Sequence, residues 1–534
     1  MGRGENRSRI VGKSPRRVKR RTALKAGGGV LAATALSGCG DGDGGGDDAK
    51  APAPASGSGT PSSAKPTASG TPSPVKPDWP ALARSLDGSL VRPQDSGYDV
   101  DRRLYNTRFD SLRPAALAYV TGADDIRTCL EFARRTGITP VVRSGGHSYA
   151  GWSSGTGRLI VDVSKLDSIR VNGTTATIGA GAKLIDVYNT LARYGRTIPG
   201  GSCPSVGVSG LTLGGGHGVM SRSMGLTCDN LIGATLITAD GRSHAVSADA
   251  EPDVFWALRG AGNGNFGVVT SLTFATHPVP AVVTGYLTWP WSRAADLVGG
   301  WQSWGPDLPD HIWSALDLNC TVGQSPTVSV AMTSTGSRDD LAAAADRLAT
   351  AVGAPATSVS LRPHTYVDAM FSYAGCEGRS AAQCHLAPVG SLERDTYTAR
   401  SDFYDVNLPA GGVEALIGRL QQLAGQSGGG AGSIALTALG GAVNRPSATA
   451  TAFSHRGSRF LAQYLASHEL SATSWLDDTH TALRRYASGA AYQNYTDPSL
   501  TDWRTAYYGP NADRLTALKK QLDPNRLFDF PQAL

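Results

Sequence analysis

The 534-residue chain contains 50 Lys and Arg residues against 44 Asp and Glu residues, which gives a net charge of +6. Ten of the basic residues and one acidic residue lie within positions 1–38, so the chain without that segment carries 40 bases, 43 acids and a net charge of −3. The excess of basic residues therefore lies in the N-terminal segment, and the rest of the chain gives no reason to expect nucleic-acid binding. Residues 79–534 exceed what one hydrophobic core usually supports, which favours two domains.

Residues 1–39 are typical of an export signal. The basic residues precede an uncharged run from Ala26 to Gly38, which is too short to span a bilayer. Arg20-Arg21 resembles a twin-arginine signal, although Ala23 stands where a larger apolar residue is common, and Leu36-Ser37-Gly38-Cys39 resembles a bacterial lipobox. We therefore expect export and a lipid on Cys39 as the only membrane attachment. A basic arm that binds nucleic acid would leave the apolar run unexplained.

Residues 40–78 form a linker between this signal and the folded part of the chain. The linker consists mainly of Gly, Asp, Ala, Pro, Ser and Thr, and Val75 is its only large apolar residue. Such a segment cannot bury enough surface to offset the entropy of ordering, so we predict a disordered tether.

The segment 79–280 mixes short strands and helices, which favours an α+β domain over a regular doubly wound sheet. Apolar residues at helical spacing predict a helix over Asp124–Thr136, with Asp124 or Thr121 near its cap. The other predicted elements are strands at Leu159–Val163 and Ala176–Ile178, a helix at Lys183–Tyr194, and a hairpin of Leu231–Thr238 and Ser243–Val246 joined by Asp240-Gly241.

A glycine-containing loop, Arg143-Ser144-Gly145-Gly146-His147-Ser148, follows the apolar run Ile138–Val142. Two glycines let the backbone turn and approach a ligand, and exposed backbone N–H groups in such a turn can bind phosphate. His147 places a nucleophilic imidazole at the end of this loop. The alternative interpretation is a polar surface turn with a solvated histidine.

A second glycine-rich stretch, residues 200–218, has eight glycines in 19 residues and includes Cys203, 56 residues after His147. So many glycines indicate backbone lying against a flat or charged ligand. The Ser-Gly-Gly-His loop followed by Gly-x-Cys-Pro-x-Val-Gly resembles the berberine-bridge-enzyme-like flavoproteins of the vanillyl-alcohol oxidase and p-cresol methylhydroxylase superfamily. The resemblance implies FAD bound covalently through His147 at its 8α-methyl group and through Cys203 at C6. Cys228, in a Gly-Leu-Thr-Cys-Asp-Asn loop, is the alternative thiol.

Two other motifs do not have the context that their usual functions need. Gly262-Asn263-Gly264-Asn265-Phe266-Gly267 satisfies G-x-G-x-x-G, but it follows the helical run Val254–Arg259 and precedes the strand Val268–Phe274, the reverse of a dinucleotide-binding fingerprint. The resemblance instead places this segment against FAD, with backbone contact at Val269. Gly207-Val208-Ser209-Gly210-Leu211 lacks the second glycine of a serine-hydrolase elbow.

Beyond residue 281, strand patterns alternate with alanine-rich helical ones, and the resemblance implies a substrate domain with an antiparallel sheet covered by helices. Cys376 and Cys384 can form a disulfide or remain free thiols, whereas Cys129 and Cys320 are predicted core residues. The histidines show no metal-ligand spacing, so no metal is expected. The predicted strands are Thr284–Thr288, Ile312–Leu318, Thr327–Met332, Ser433–Leu436 and Phe460–Tyr464, and the predicted helices are Asp339–Ala351 and Gly412–Leu423.

The C-terminal motif, Tyr492-Gln493-Asn494-Tyr495, matches the closing motif of the same family, in which the chain returns to the FAD domain. The alternative is aromatic packing in a terminal helix. Oxidation of an alcohol needs a positioned base for its hydroxyl proton, and a tyrosine can act as one if its phenolate is stabilised. We assign this role to Tyr492, with Tyr495 second, and expect Asn494 to hold the flavin or orient the tyrosines.

The resemblance implies a two-part FAD-binding domain at 79–280 (core 109–279), a substrate domain at 281–475 and a returning segment at 476–534. It implies oxidation of an alcohol carbon of a sugar or of a glycosylated or polycyclic metabolite, with O2 as acceptor because Val206 leaves oxygen access to the flavin. The alternatives are a dehydrogenase with another acceptor and a surface binding lipoprotein that kept only the fold. The expected FAD contacts are Arg143, Ser144, Gly145, Gly146, His147, Ser148, Cys203, Val206, Gly207, Gly210, Gly214, Gly215, Gly218, Val269 and Asn494.

Overall fold

The structure, a computed structural model, describes residues 74–471 and 474–534. The predicted signal, the lipid site at Cys39 and the linker up to residue 73 lie outside this range. Within it, no helix is long and apolar enough to cross a membrane.

The described residues form strands and helices in mixed order, as predicted for an α+β protein. The strands are β1 Ser89–Val91, β2 Ala116–Tyr119, β3 Pro140–Arg143, β4 Leu159–Asp162, β5 Ile169–Asn172, β6 Thr175–Gly179, β7 Arg196–Thr197, β8 Leu231–Ile237, β9 Ser243–Ser247, β10 Val268–Ala275, β11 His277–Pro278, β12 Val282–Trp289, β13 Ile312–Thr321, β14 Thr327–Ser334, β15 Ser358–His364, β16 Tyr397–Tyr404, β17 Ala431–Ala438 and β18 Phe460–Ser467.

The helices lie mostly on the outer faces of the sheets and in the C-terminal segment. They are α1 Trp79–Arg84, α2 Tyr98–Asp101, α3 Ala123–Thr136, α4 Leu184–Ala192, α5 Val208–Leu213, α6 Ser221–Met224, α7 Pro252–Leu258, α8 Ala294–Trp304, α9 Arg338–Val352, α10 Tyr366–Tyr373, α11 Ala410–Ala424, α12 His468–Ser471, α13 Trp475–Arg484, α14 Trp503–Tyr508 and α15 Ala512–Leu522.

Two sheets and their helices build the first hydrophobic core. The four-stranded sheet has the order β1-β2-β4-β3, with β2, β4 and β3 parallel, and the five-stranded sheet has the antiparallel order β5-β6-β10-β8-β9. Residues of α14, α15 and the last residue, Leu534, pack into the same core, so the C-terminal segment returns to these sheets. The predicted hairpin is confirmed as β8 and β9.

Helix α3 shows how local sequence sets one of these elements. Ile126 and Leu130 are fully buried on its inner face, and Gly137 ends it with a left-handed φ of 72°. Gly122 occupies the N-cap position without a side-chain hydrogen bond, so Thr121 and Asp124 lie near the cap but neither is the cap residue. The Asp125 carboxylate instead accepts hydrogen bonds from the backbone N–H groups of residues 87, 88 and 121.

The second core lies on one face of a seven-stranded antiparallel sheet with the order β15-β12-β14-β13-β17-β18-β16. Helices α8, α9, α11 and α13 pack on that face. The predicted strands and helices after residue 281 are confirmed, and β15 and β16 are additional. Cys129 and Cys320 are buried, and Cys376 pairs with Cys384 in a disulfide.

Candidate active site

A cavity of about 730 Å³ lies between the first core and the opposite face of the seven-stranded sheet. Its walls are the loop after β3, the glycine-rich stretch 200–218, the sheet face and the turn Gln493–Tyr495. Side chains alternate along a strand, so β13 buries Leu316 and Leu318 under the helices while Ala315 and Asp317 line the cavity.

The two glycine-containing loops pack backbone against backbone along one wall. A Cβ atom added at Gly145 would lie 2.3 Å from the Gly207 backbone N, and one added at Gly207 would lie 2.6 Å from the Gly145 N. Ser144 fixes the first loop, because its hydroxyl donates to the Ala180 carbonyl at 2.7 Å and its carbonyl accepts from Lys183 Nζ at 2.8 Å. Glycine is therefore required at these two positions for the loops to meet.

His147 and Cys203 both line this wall. His147 Nε2 lies 2.9 Å from Ser205 Oγ, and the Tyr105 ring stacks on the imidazole with centroids 4.1 Å apart. Burial, and secondarily Lys183, lowers the pKa of His147 to about 3, so the imidazole is neutral. Burial raises the pKa of the Cys203 thiol to about 11. The alternative thiol, Cys228, is fully buried and does not line the cavity.

Tyr492 lines the cavity and directly precedes the turn Gln493–Tyr495. Several N–H donors lie around its hydroxyl oxygen. It accepts hydrogen bonds from the Gly216 backbone N and from Asn494 Nδ2, both at 2.9 Å. Burial raises the pKa of Tyr492, while these donors act in the opposite direction. Asn494 is itself held, because its Oδ1 accepts from Asn263 Nδ2 at 2.8 Å.

Tyr495 lies beside Tyr492 and contacts a different partner. Its hydroxyl is 2.8 Å from His217 Nε2, and its ring stacks on Tyr149 with centroids 5.0 Å apart. Burial lowers the pKa of His217 to about 4. The neutral imidazole can therefore accept a hydrogen bond from the Tyr495 hydroxyl or donate one to it, depending on its tautomer.

Most of the predicted site residues come together in the cavity wall. They are Ser144, Gly145, Gly146, His147, Ser148, Cys203, Val206, Gly207, Gly210, Gly218, Tyr492, Asn494 and Tyr495.

Four predicted cofactor contacts do not line the cavity, and one of them, Gly214, packs against a residue that does. Arg143 is buried in an ion pair with Asp162 at 2.5 Å. A Cβ at Gly214 would lie 2.0 Å from Asn494 Oδ1, and one at Gly215 would lie 2.9 Å from the Phe453 ring. Val269 pairs with Leu236 in the five-stranded sheet.

Several cavity residues lie in no motif that the sequence indicates. Tyr149, two residues after His147, and His217, within the glycine-rich stretch 200–218, had a local signal that could have identified them. The others come from distant segments of the chain, and their proximity depends on tertiary packing: Tyr105, Asp317, Asp395, Tyr397 and Gln463.

Comparisons with known proteins agree with this geometry. Residues 114–247 match the FAD binding domain family, and residues 491–534 match the berberine and berberine-like family. The chain is 30% identical to the uncharacterised FAD-linked oxidoreductase YgaK of Bacillus subtilis (strain 168), over 84% of this chain and 97% of that protein. It is also 30% identical to xylooligosaccharide oxidase of Thermothelomyces thermophilus, over 79% of this chain and 87% of that protein.

The fold agrees with solved structures as well. BBE-like 1 of Physcomitrella patens superposes with a TM-score of 0.78 at 29% identity, over 85% of this chain and 98% of that chain. The chain is an FAD oxidoreductase and belongs to the berberine-bridge-enzyme-like family of the vanillyl-alcohol oxidase and p-cresol methylhydroxylase flavoprotein superfamily.

Proposed function

We propose that this enzyme oxidises an alcohol carbon of a sugar, or of a glycosylated or polycyclic metabolite, and passes the electrons to O2 to give H2O2. The observation that carries the proposal is the Tyr492 hydroxyl, which faces the cavity between the N–H donors of Gly216 and Asn494. Similarity to a xylooligosaccharide oxidase supports a carbohydrate substrate.

The cavity suits FAD in size and in the character of one wall. Its volume of about 730 Å³ lies within the range of cofactor sites. The backbone of Gly145 and Gly146 can approach a phosphate group closely because no side chain intervenes. We propose covalent attachment through His147 and Cys203, which line the cavity. Bound FAD supplies the acceptor for the hydride that leaves the alcohol carbon.

Tyr492 is proposed as the base that takes the hydroxyl proton of the substrate. A phenolate oxygen can accept several hydrogen bonds, and the protein supplies donors from the Gly216 backbone, the Asn494 side chain and the His217 backbone, all of which lower the pKa of Tyr492. Because these N–H groups are fixed before the reaction, they stabilise negative charge on the tyrosine oxygen without reorganisation.

Tyr495 is the alternative base, assisted by His217. Its hydroxyl contacts one imidazole nitrogen, and the other nitrogen, His217 Nδ1, is buried without a hydrogen-bond partner among the described residues. In our proposal Tyr495 and His217 together orient the substrate, and Asn494 positions Tyr492.

The oxidase assignment depends on Val206, which lines the cavity three residues after Cys203. We expect Val206→Leu to slow reoxidation of the reduced enzyme by O2, because extra carbon atoms fill the small space that oxygen must enter and a packed interior does not move aside. Stopped-flow mixing of the reduced enzyme with O2 measures this rate, and anaerobic reduction by substrate serves as the control. An unchanged reoxidation rate would remove Val206 as the oxygen gate.

A screen of sugars and polyols for bleaching of the flavin tests the proposed function. The expected result is bleaching under anaerobic conditions by at least one such alcohol, and H2O2 release in air. Bleaching without H2O2 would favour a dehydrogenase with another electron acceptor. A protein without flavin would instead favour a surface binding protein that kept the fold.

A further inference from the structure

The cavity face of the seven-stranded sheet carries one carboxylate that the proposed chemistry does not use. Asp317 lies on β13, opposite Ser329 on β14 and Ala435 on β17. Its neighbours along the same face of β13 are Ala315 and Asn319. Because the flanking residues of the adjacent strands are small, the Asp317 side chain stands at an open part of the cavity floor.

No group among residues 74–471 and 474–534 compensates the charge of Asp317. Its carboxylate has no hydrogen bond or ion pair with any residue in the described part of the chain, and none of the cavity-lining residues is Lys or Arg. The two other lining carboxylates have partners, since Asp395 accepts from the Thr396 backbone N and Asp529 pairs with Arg526. Burial raises the pKa of Asp317 to about 7. A cationic group of a ligand beside Asp317 would compensate its charge and favour the ionised carboxylate.

A second unused polar group lines the cavity from the same strand. Trp313 is only 5% exposed, and its Nε1–H is buried with no hydrogen-bond acceptor among the described residues. It lies four residues before Asp317 on the same face of β13, about 13 Å away along the strand. A buried N–H without an acceptor is costly, so an oxygen atom of a ligand beside Trp313 Nε1 would be bound favourably. The spacing fits one extended ligand better than a small ion.

We propose that Asp317 and Trp313 form a substrate subsite for a hydroxyl-bearing compound with a protonated amine, of the amino-sugar class. The ammonium group would bind the Asp317 carboxylate, and a ligand oxygen would accept from Trp313 Nε1. Tyr286, on β12, lines the same cavity, where burial raises the pKa of its hydroxyl and the nearby Asp317 carboxylate raises it further. This inference rests on the proposed function for the alcohol carbon of the ligand, but the recognition of the amine is independent of turnover.

Binding of three matched sugars tests this subsite. Isothermal titration calorimetry on the purified flavoprotein compares the glucosamine disaccharide that has free amines, its N-acetylated form and cellobiose. We expect the free-amine disaccharide to bind about 10- to 100-fold more tightly than the other two, because a hydrogen bond to a charged partner contributes about that factor. Asp317→Asn should remove this preference, because it deletes the charge and keeps the shape.

Asp346→Asn is the matched control, because Asp346 is exposed on α9 and undergoes the same chemical change. It should leave the preference intact. Equal binding of the three sugars, tighter binding of cellobiose, no binding of the free-amine disaccharide, or a preference that survives Asp317→Asn would each overturn the proposal. Selective binding without flavin bleaching would leave the subsite in place and contradict only the proposed oxidation.

Discussion

Tyr492→Phe is expected to slow reduction of the flavin by substrate about 10²–10⁴-fold, the usual cost of losing one positioned base. The substitution removes the oxygen atom that accepts hydrogen bonds from Gly216 and Asn494. It keeps the ring, which packs edge-on against Phe403 and Phe453 with centroids 6.2 Å apart. The fold and the flavin spectrum should therefore change little. Anaerobic stopped-flow mixing isolates this step from reoxidation by O2.

Two further variants make this result decisive. Tyr194→Phe is the matched control, because Tyr194 is 63% exposed and loses the same hydroxyl without effect on the cavity. Tyr495→Phe tests the alternative base and should reduce the rate less than Tyr492→Phe. If Tyr492→Phe reduces at the parent rate while Tyr495→Phe is slow, the base is Tyr495 assisted by His217.

Gly207→Ala is expected to abolish most of the flavin content of the purified protein. The added methyl group would lie 2.0 Å from Ser144 Oγ and 2.6 Å from the Gly145 backbone N. Ser144 cannot easily yield, because its hydroxyl is bonded to the Ala180 carbonyl at 2.7 Å. The two loops must therefore separate, and the wall that carries His147 and Cys203 is lost. The visible absorbance per protein molecule measures the effect.

The cost of this substitution to folding should be limited. Overpacking of this kind typically costs about 1–3 kcal/mol, less than the stability of most proteins, so the variant should still fold. Gly299→Ala is the control, because nothing lies within 4 Å of its added methyl group in helix α8. A Gly207→Ala protein with full flavin content and an unchanged melting temperature would show that the contact between the loops does not shape the cofactor site.

Local patterns were enough to predict the elements and loops whose signal lies within a short segment. Helix α3 has apolar residues at helical spacing, and the β8–β9 hairpin has an Asp-Gly turn, so each could be read from its own residues. Local patterns also showed that the Gly262–Gly267 segment is not a dinucleotide-binding fingerprint. The segment follows helix α7 and precedes strand β10, whereas the fingerprint follows a strand and precedes a helix. Its Asn263 contacts Asn494, which no local rule predicts.

The remaining features of the site depend on the register of the seven-stranded sheet. Asp317 has nothing unusual in its local sequence, since it lies in the second half of β13, where buried residues alternate with less buried ones. Its position becomes significant only when β14 and β17 place small residues beside it and the sheet face meets the cavity. Tyr397 and Gln463 likewise enter the site from β16 and β18, more than 200 residues after His147. Pairing over such distances cannot be derived from local patterns.

Peptide mapping of the acid-precipitated protein by mass spectrometry tests most directly whether the flavin lies where we propose. The flavin should remain with the protein after precipitation, joined to the peptides that contain His147 and Cys203. In Cys203→Ala the attachment to the His147 peptide alone should remain. Flavin released by acid, or found on the peptide that contains Cys228, would contradict the proposed cofactor site.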